Sequence, residues 1–211
     1  LYSPTKLGLA AALACCAFTF LLGGGPLEMI LAFAGAGIGN AIRCKLGKHH
    51  FTLFMCIAVS VSSACLVYAG FLKLAELLFH ISVQHEAGYI CSMLFIIPGF
   101  PFITSGIDLA KLDMRSGLER LAYAIIVVMV AAVSAWLMAL LLHLKPVDFL
   151  PLELSAAQRI LFRLLASFCG VFGFSVMFNS PVRLAAAAAF IGALSNTLRP
   201  VSYTHLTLPT T

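Results

Sequence analysis

Charge is scarce in this chain. Asp, Glu, Lys and Arg make up 10% of its 211 residues, against about 25% in an ordinary soluble domain. That excludes a water-soluble globular domain and a charged disordered tail. Metal-ligand spacing is missing as well. The seven cysteines, Cys15, Cys16, Cys44, Cys56, Cys65, Cys91 and Cys169, form no CxxC pair. Most lie inside apolar runs, where cysteine behaves as a small hydrophobe. Neither a disulfide framework, nor a metal site, nor a cofactor is expected. HExxH, GxSxG and paired catalytic carboxylates within an apolar run are all absent, which argues against a membrane-embedded enzyme. The apolar runs lack the period-two alternation of a membrane barrel. None is followed by the small-residue cleavage site of a signal peptide. The net charge of +5 is spread over the connections between runs, which suits an orientation signal and not a nucleic-acid patch.

Apolar residues dominate instead, at 62% with a mean hydropathy of +1.05. An integral membrane protein follows, all-α, built as a polytopic bundle of transmembrane helices. Seven apolar segments are expected, over residues 7–22, 26–42, 51–72, a fourth from Tyr89, then 122–144, 155–178 and 181–198. Gly35, Gly37 and Gly39, with Ala32, Ala34 and Ala36, give the second a small-residue face that lets helices approach closely in lipid. A basic loop, Arg43 to His50, follows it. The adjacent His49 and His50 point to different faces and do not suit a metal. Residues 73–86, with His80 and His85, read as an interfacial turn. Ser155 with Gln158 has the capping-box pattern that opens a helix. Lys6, Arg43, Lys45, Lys48, Lys111, Arg115, Arg120 and Arg183 fall on one side if the spans alternate, which puts the start of the chain in the cytoplasm.

The chemistry is expected in the fourth segment, Tyr89 to Leu121. Its apolar run is interrupted by Pro98-Gly99-Phe100-Pro101. Proline removes a backbone donor and clashes with the preceding turn. At bilayer depth the freed carbonyls find no water, so a break persists only where protein or a polar cavity answers it. Transporters line substrate sites with such broken helices. Pro98, Gly99, Phe100, Pro101, Thr104 and Ser105 are therefore the candidate substrate-binding residues. Exposed amides would meet a carboxylate, unwound carbonyls an ammonium, and the hydroxyls a substrate hydroxyl. Asp108 is the candidate for proton coupling, since desolvation lets a carboxylate gain and lose a proton near neutral pH; its structural alternative is a pair with Lys111 one turn on. Asp113, Arg115, Glu119 and Arg120 read as a cytoplasmic loop network that fixes orientation.

An internal repeat is visible. Cys15, Phe18 and Phe20 match Cys169, Phe172 and Phe174 as C-x-x-F-x-F. Pro26 matches Pro181, and Asn40, Ile42 and Arg43 match Asn196, Leu198 and Arg199. Five segments then make one unit, and an odd number of spans inverts the second copy, a common transporter plan. Residues 1–144 would be a first membrane half of five spans, and 145–200 the start of a second. The chain begins at Leu1 rather than Met, which reads as a missing start. Residues 201–211, VSYTHLTLPTT, resemble translated adapter sequence from transposon-based DNA libraries and are expected to lie outside the fold.

Pro98-Gly99, Gly106, Asp108-Leu109, Asp113, Ser116-Gly117 and Arg120 resemble the signature of the threonine/serine exporter family (ThrE), P-G…D-L-x-x-G-D-x-x-S-G-x-x-R. The triple glycine after Leu22 and the glycine-rich second segment are similar too. Leu112 departs from the pattern, which usually has Gly there. The resemblance implies a secondary transporter that exports threonine and serine across the bacterial inner membrane on the proton motive force. It also implies a cytoplasmic amino-terminal domain and an inverted 5+5 repeat of about ten spans in the full protein. The partners it implies are a small polar amino acid, protons and the lipid bilayer, with room for a homo-oligomer and no nucleic acid. Related two-part members extend the alternatives to a small dicarboxylate such as succinate. A scaffold that transports nothing is the other alternative.

Overall fold

The computed structural model describes residues 2–79, 86–144 and 155–206. Among these the chain forms eight α-helices and one 3-10 turn: α1 Pro4–Leu21, α2 Pro26–Lys48, α3 Leu53–Phe79, α4 Glu86–Cys91, the 3-10 turn Leu94–Ile96, α5 Gly99–Ala110, α6 Met114–Leu141, α7 Ala156–Met177 and α8 Val182–Leu206. Helices α2, α3, α6 and α7 are long and apolar enough to cross a membrane. The pair formed by α4 with its 3-10 turn and α5 qualifies as a fifth span if its bend is counted within one crossing. Residues Thr5–Leu21 of α1 and Val182–Leu198 of α8 are apolar but shorter. The chain is a multi-pass membrane protein.

Helix starts follow the local chemistry. Ser3 caps α1 by accepting the Lys6 amide. Pro26 opens α2, where its missing N–H costs nothing. Ser155 and Gln158 form the expected capping box of α7. Helix ends differ from the hydropathy boundaries. The basic stretch after residue 42 continues α2 to Lys48, placing Lys45 and Lys48 against the partial negative charge of the helix end. The chain then turns at His50, with φ +56°. Likewise α3 runs past Leu72 to Phe79; His80 and His85 lie outside the described residues. Helix α6 starts at Met114, so Arg115, Glu119 and Arg120 ride on its first two turns and not in a loop.

Helix α2 packs between α1 and α3, α3 against α6, α5 against α6, and α1 against α7, which carries α8. Small residues set these distances. Gly35 and Gly39 turn toward α3 and the broken span: a Cβ on Gly39 would lie 2.8 Å from both the Ala64 Cβ and the Phe95 ring. Gly37 faces Ala12 of α1 instead, so the glycines of α2 serve two neighbours. Helices α1 and α7 run antiparallel. The Tyr2 hydroxyl donates to the Ser180 carbonyl at 2.9 Å, Gly173 meets Ala10 and Ala14, and the Phe20 ring lies 6.0 Å from Phe162.

Candidate functional site: the broken span and its polar backing

The interruption at Pro98 bends the span by 61° between Ala87–Ile96 and Gly99–Ala110. Neither Pro98 nor Pro101 can donate, and the freed backbone groups find partners inside the protein. The Ile97 amide reaches the Leu94 carbonyl at 3.1 Å, the Gly99 amide the Ile97 carbonyl at 2.9 Å, and the Phe102 amide the Pro98 carbonyl at 3.2 Å. From α2, Arg43 Nη1 donates to the Phe95 carbonyl at 3.5 Å. Phe95 is seated in the notch at Gly39. On the first arm, Ser92 Oγ donates to the Tyr89 carbonyl and the Tyr89 hydroxyl to the Ala135 carbonyl of α6, both at 2.7 Å.

Buried polar side chains are spread along α1, α2 and the first arm: Thr19, Glu28, Asn40 and Ser92, with Glu28 and Asn40 about 18 Å apart on α2. Thr19 Oγ1 donates to the Cys15 carbonyl at 2.9 Å and Asn40 Nδ2 to the Leu7 carbonyl at 3.2 Å. Glu28 is 3% exposed. Its Oε2 accepts the Gly25 amide at 3.1 Å, and its Oε1 has no hydrogen-bond partner. In front of the break, a cavity of about 390 Å³ opens between α1, the interruption and α7. Phe18, Ile97, Gly99, Phe100, Phe174 and Ser175 are among its lining residues.

The residues expected from the sequence fall into two groups. Pro98, Gly99, Phe100 and Pro101 form the interruption itself; Pro98 is buried, while Phe100 is exposed beside the cavity. Thr104 and Ser105 sit one turn on, and their protons go to backbone carbonyls. Thr104 Oγ1 donates to Phe100 and Pro101, and buried Ser105 Oγ donates to the Gly117 carbonyl of α6 at 2.7 Å. Asp108 lies nine residues beyond Gly99, about 13 Å along the helix. It belongs to the corner between α5 and α6, where its Oδ2 lies 3.2 Å from Arg120 Nη1. That contact is an ion pair without hydrogen-bond alignment, because Oδ2 is otherwise unpartnered. Lys111, the alternative partner one turn away, instead caps the end of α5 through its backbone. Asp113 caps α6 by accepting the Ser116 amide at 3.3 Å. The Ser116 hydroxyl, and then its amide, hold the Asp113 carboxyl below the usual carboxylate range. Arg115 and Glu119 pair at 3.2 Å in solvent.

The corner also accounts for the departure at Leu112. Helix α5 ends with the Leu112 amide on the Leu109 carbonyl and the Asp113 amide on the Asp108 carbonyl, both at 3.0 Å. This is the Schellman arrangement, which places one residue in the left-handed region. That residue is Leu112, with φ +63°. A pattern with glycine there is one that fits this turn without strain.

The profile of a family described as "Putative threonine/serine exporter" (ThrE) matches residues 1–143. The chain belongs to the threonine/serine exporter family. No curated protein and no solved structure matches it. The exporter match takes in α1 to α6, and with them the interruption, the polar backing and the α5–α6 corner. This is a family of transporters and not of enzymes. Two residues assigned no site role from the sequence are placed by the structure near the broken span's helices: Glu28 is buried, and Arg43 reaches the Phe95 carbonyl. The signal for Glu28 was available: it is the one acid in the apolar stretch PLEMILAFAGAG, and an ionisable residue inside a span is a functional hypothesis in its own right.

Proposed function

We propose that this protein exports threonine and serine across the bacterial inner membrane, driven by the proton motive force, and that the interruption at Pro98–Pro101 lines the path. The observation that carries this reading is a bent apolar span whose break is met by Arg43 of α2 and borders a cavity. Gly99 offers backbone at the cavity wall without a side chain in the way. Arg43 supplies a cation at the interruption, suited to a substrate carboxylate. The Asp108–Arg120 pair closes the corner at the far end of α5; a coupling role for Asp108 requires that pair to open.

Seven crossings, with α1 and α8 as spans, and an inverted repeat belong to the same proposal. Antiparallel packing of α1 on α7 is what an odd number of crossings between the two copies requires. In each copy the matching asparagine reaches back to the preceding helix: Asn40 to Leu7, and Asn196 Nδ2 to Ser167 Oγ at 2.6 Å.

The test is efflux of labelled threonine and serine from proteoliposomes holding the intact protein, against empty vesicles, with and without an imposed pH gradient. Gradient-stimulated efflux is expected, reduced by P98A together with P101A. Efflux equal to that of empty vesicles refutes the proposal.

A further inference from the structure

Helix α2 carries a single carboxylate, Glu28, three residues from its start. Capping explains half of its geometry. Oε2 accepts the Gly25 amide, as a glutamate in the first turn commonly does. On a surface helix the second oxygen of such a residue is hydrated. Here the side chain is 3% exposed and Oε1 has no partner. A buried acceptor left unsatisfied keeps its full desolvation cost, which is larger when it carries charge.

The surroundings are built around this side chain. A Cβ on Gly24 would lie 2.7 Å from Oε2 and 2.5 Å from Thr19 Cγ2, so only glycine fits there. A Cβ on Gly88 would collide with the Tyr68 hydroxyl. Thr19 of α1 lies beside Glu28 at Gly24. Among the described residues the ion pairs are Arg115–Glu119 and Arg120–Asp108, and neither involves Glu28.

The Gly25 amide meets one oxygen of this carboxyl, while Oε1 has no donor. A proton on Oε1 would bring its own O–H donor. Asp108, by contrast, lies beside Arg120. Helix α2, which carries Glu28, packs on the first arm of the broken span, where Gly35 meets Ser92 and Gly39 meets Phe95.

We propose that Glu28 is the carboxyl that carries the transported proton, so that its protonation is coupled to the state of the broken span. The inference rests on the exporter reading given above. The step is a simple proton transfer: an O–H bond forms on the carboxylate when a proton arrives from the outer side, and breaks when the proton leaves to the inner side.

The intact protein in proteoliposomes tests it through two readouts. One is efflux of labelled threonine driven by a pH gradient. The other is exchange of labelled for unlabelled threonine at equal concentration and equal pH on both sides. Glu28→Gln is expected to lose the stimulation of efflux by the pH gradient, while exchange persists and loses its pH dependence. Glu28→Asp keeps a carboxyl and is expected to retain gradient response. Gradient-driven efflux by Glu28→Gln at the wild-type rate overturns the inference and leaves the exporter reading standing. A wild-type protein with neither efflux nor exchange overturns the exporter reading itself. Should Glu28→Gln fail to fold, infrared spectra of wild-type protein carrying carboxyl-labelled glutamate decide the matter. A titrating protonated-carboxyl band that is lost from the labelled Glu28→Asp protein is expected, and wild-type and Glu28→Asp spectra that titrate alike overturn the inference.

Discussion

Replacing Leu112 by glycine should stabilise this protein, although it deletes a large apolar side chain. Leu112 holds φ +63° at the end of α5. The left-handed region costs a residue with a Cβ about 1–2 kcal/mol, because the Cβ crowds the following carbonyl. Glycine escapes that cost but gives up about 0.5–1 kcal/mol through the greater freedom of its unfolded chain. The side chain contributes little packing, since Leu112 is 82% exposed. The net gain is about 0.5–1 kcal/mol. Near the melting temperature 1 kcal/mol moves a chain of 150–250 residues by about 2–4 °C. Thermal unfolding of the purified protein in detergent measures this directly. Leu112→Ala is the control, since alanine removes the same exposed surface but keeps the Cβ and its strain. A rise for Leu112→Gly with none for Leu112→Ala is expected. Equal rises in both refute backbone strain and point to the exposed side chain; a fall for Leu112→Gly refutes the argument outright.

Two further outcomes follow from particular contacts. Gly173→Ala should push α1 away from α7, because its Cβ would lie 2.6 Å from the Ala10 carbonyl oxygen, a backbone atom that cannot swing aside; overpacking of this kind costs about 1–3 kcal/mol, seen as a lowered melting temperature. Gly106→Ala, with open space around the added methyl, should leave the melting temperature unchanged or raise it. Asp113 gives a pH dependence. Its folded carboxyl titrates below its unfolded value because Ser116 bonds the ionised form. Its contribution to stability is therefore complete above the ordinary carboxylate range and is lost as pH falls through the lowered folded value. Asp113→Ala should flatten this acid limb of a melting-temperature profile, and an unchanged limb sinks the assignment.

The interruption was legible because proline acts on its own backbone: Pro98 and Pro101 cannot donate whatever surrounds them, and the structure bends there. Ser155 and Gln158 were legible for the same reason, a cap being complete within four residues. Helix ends at Lys48 and Met114 were not. Hydropathy marks where a helix leaves lipid, while charged residues continue the same helix into water with little loss of propensity. The partner of Asp108 was hidden by a different cause. Arg120 meets it only because the chain reverses through the left-handed Leu112, and a leucine in the sequence carries no sign of that turn. Glu28 shows the limit most clearly. In sequence it is one acid in an apolar stretch, and nothing there says whether its oxygens are met. Its second oxygen becomes a question only in the folded chain, where the side chain is buried and Oε1 has no partner. Asp108 and Glu28 are both carboxylates within apolar segments, and one is matched to a guanidinium while the other is not. That difference is a property of the assembled helices rather than of either residue.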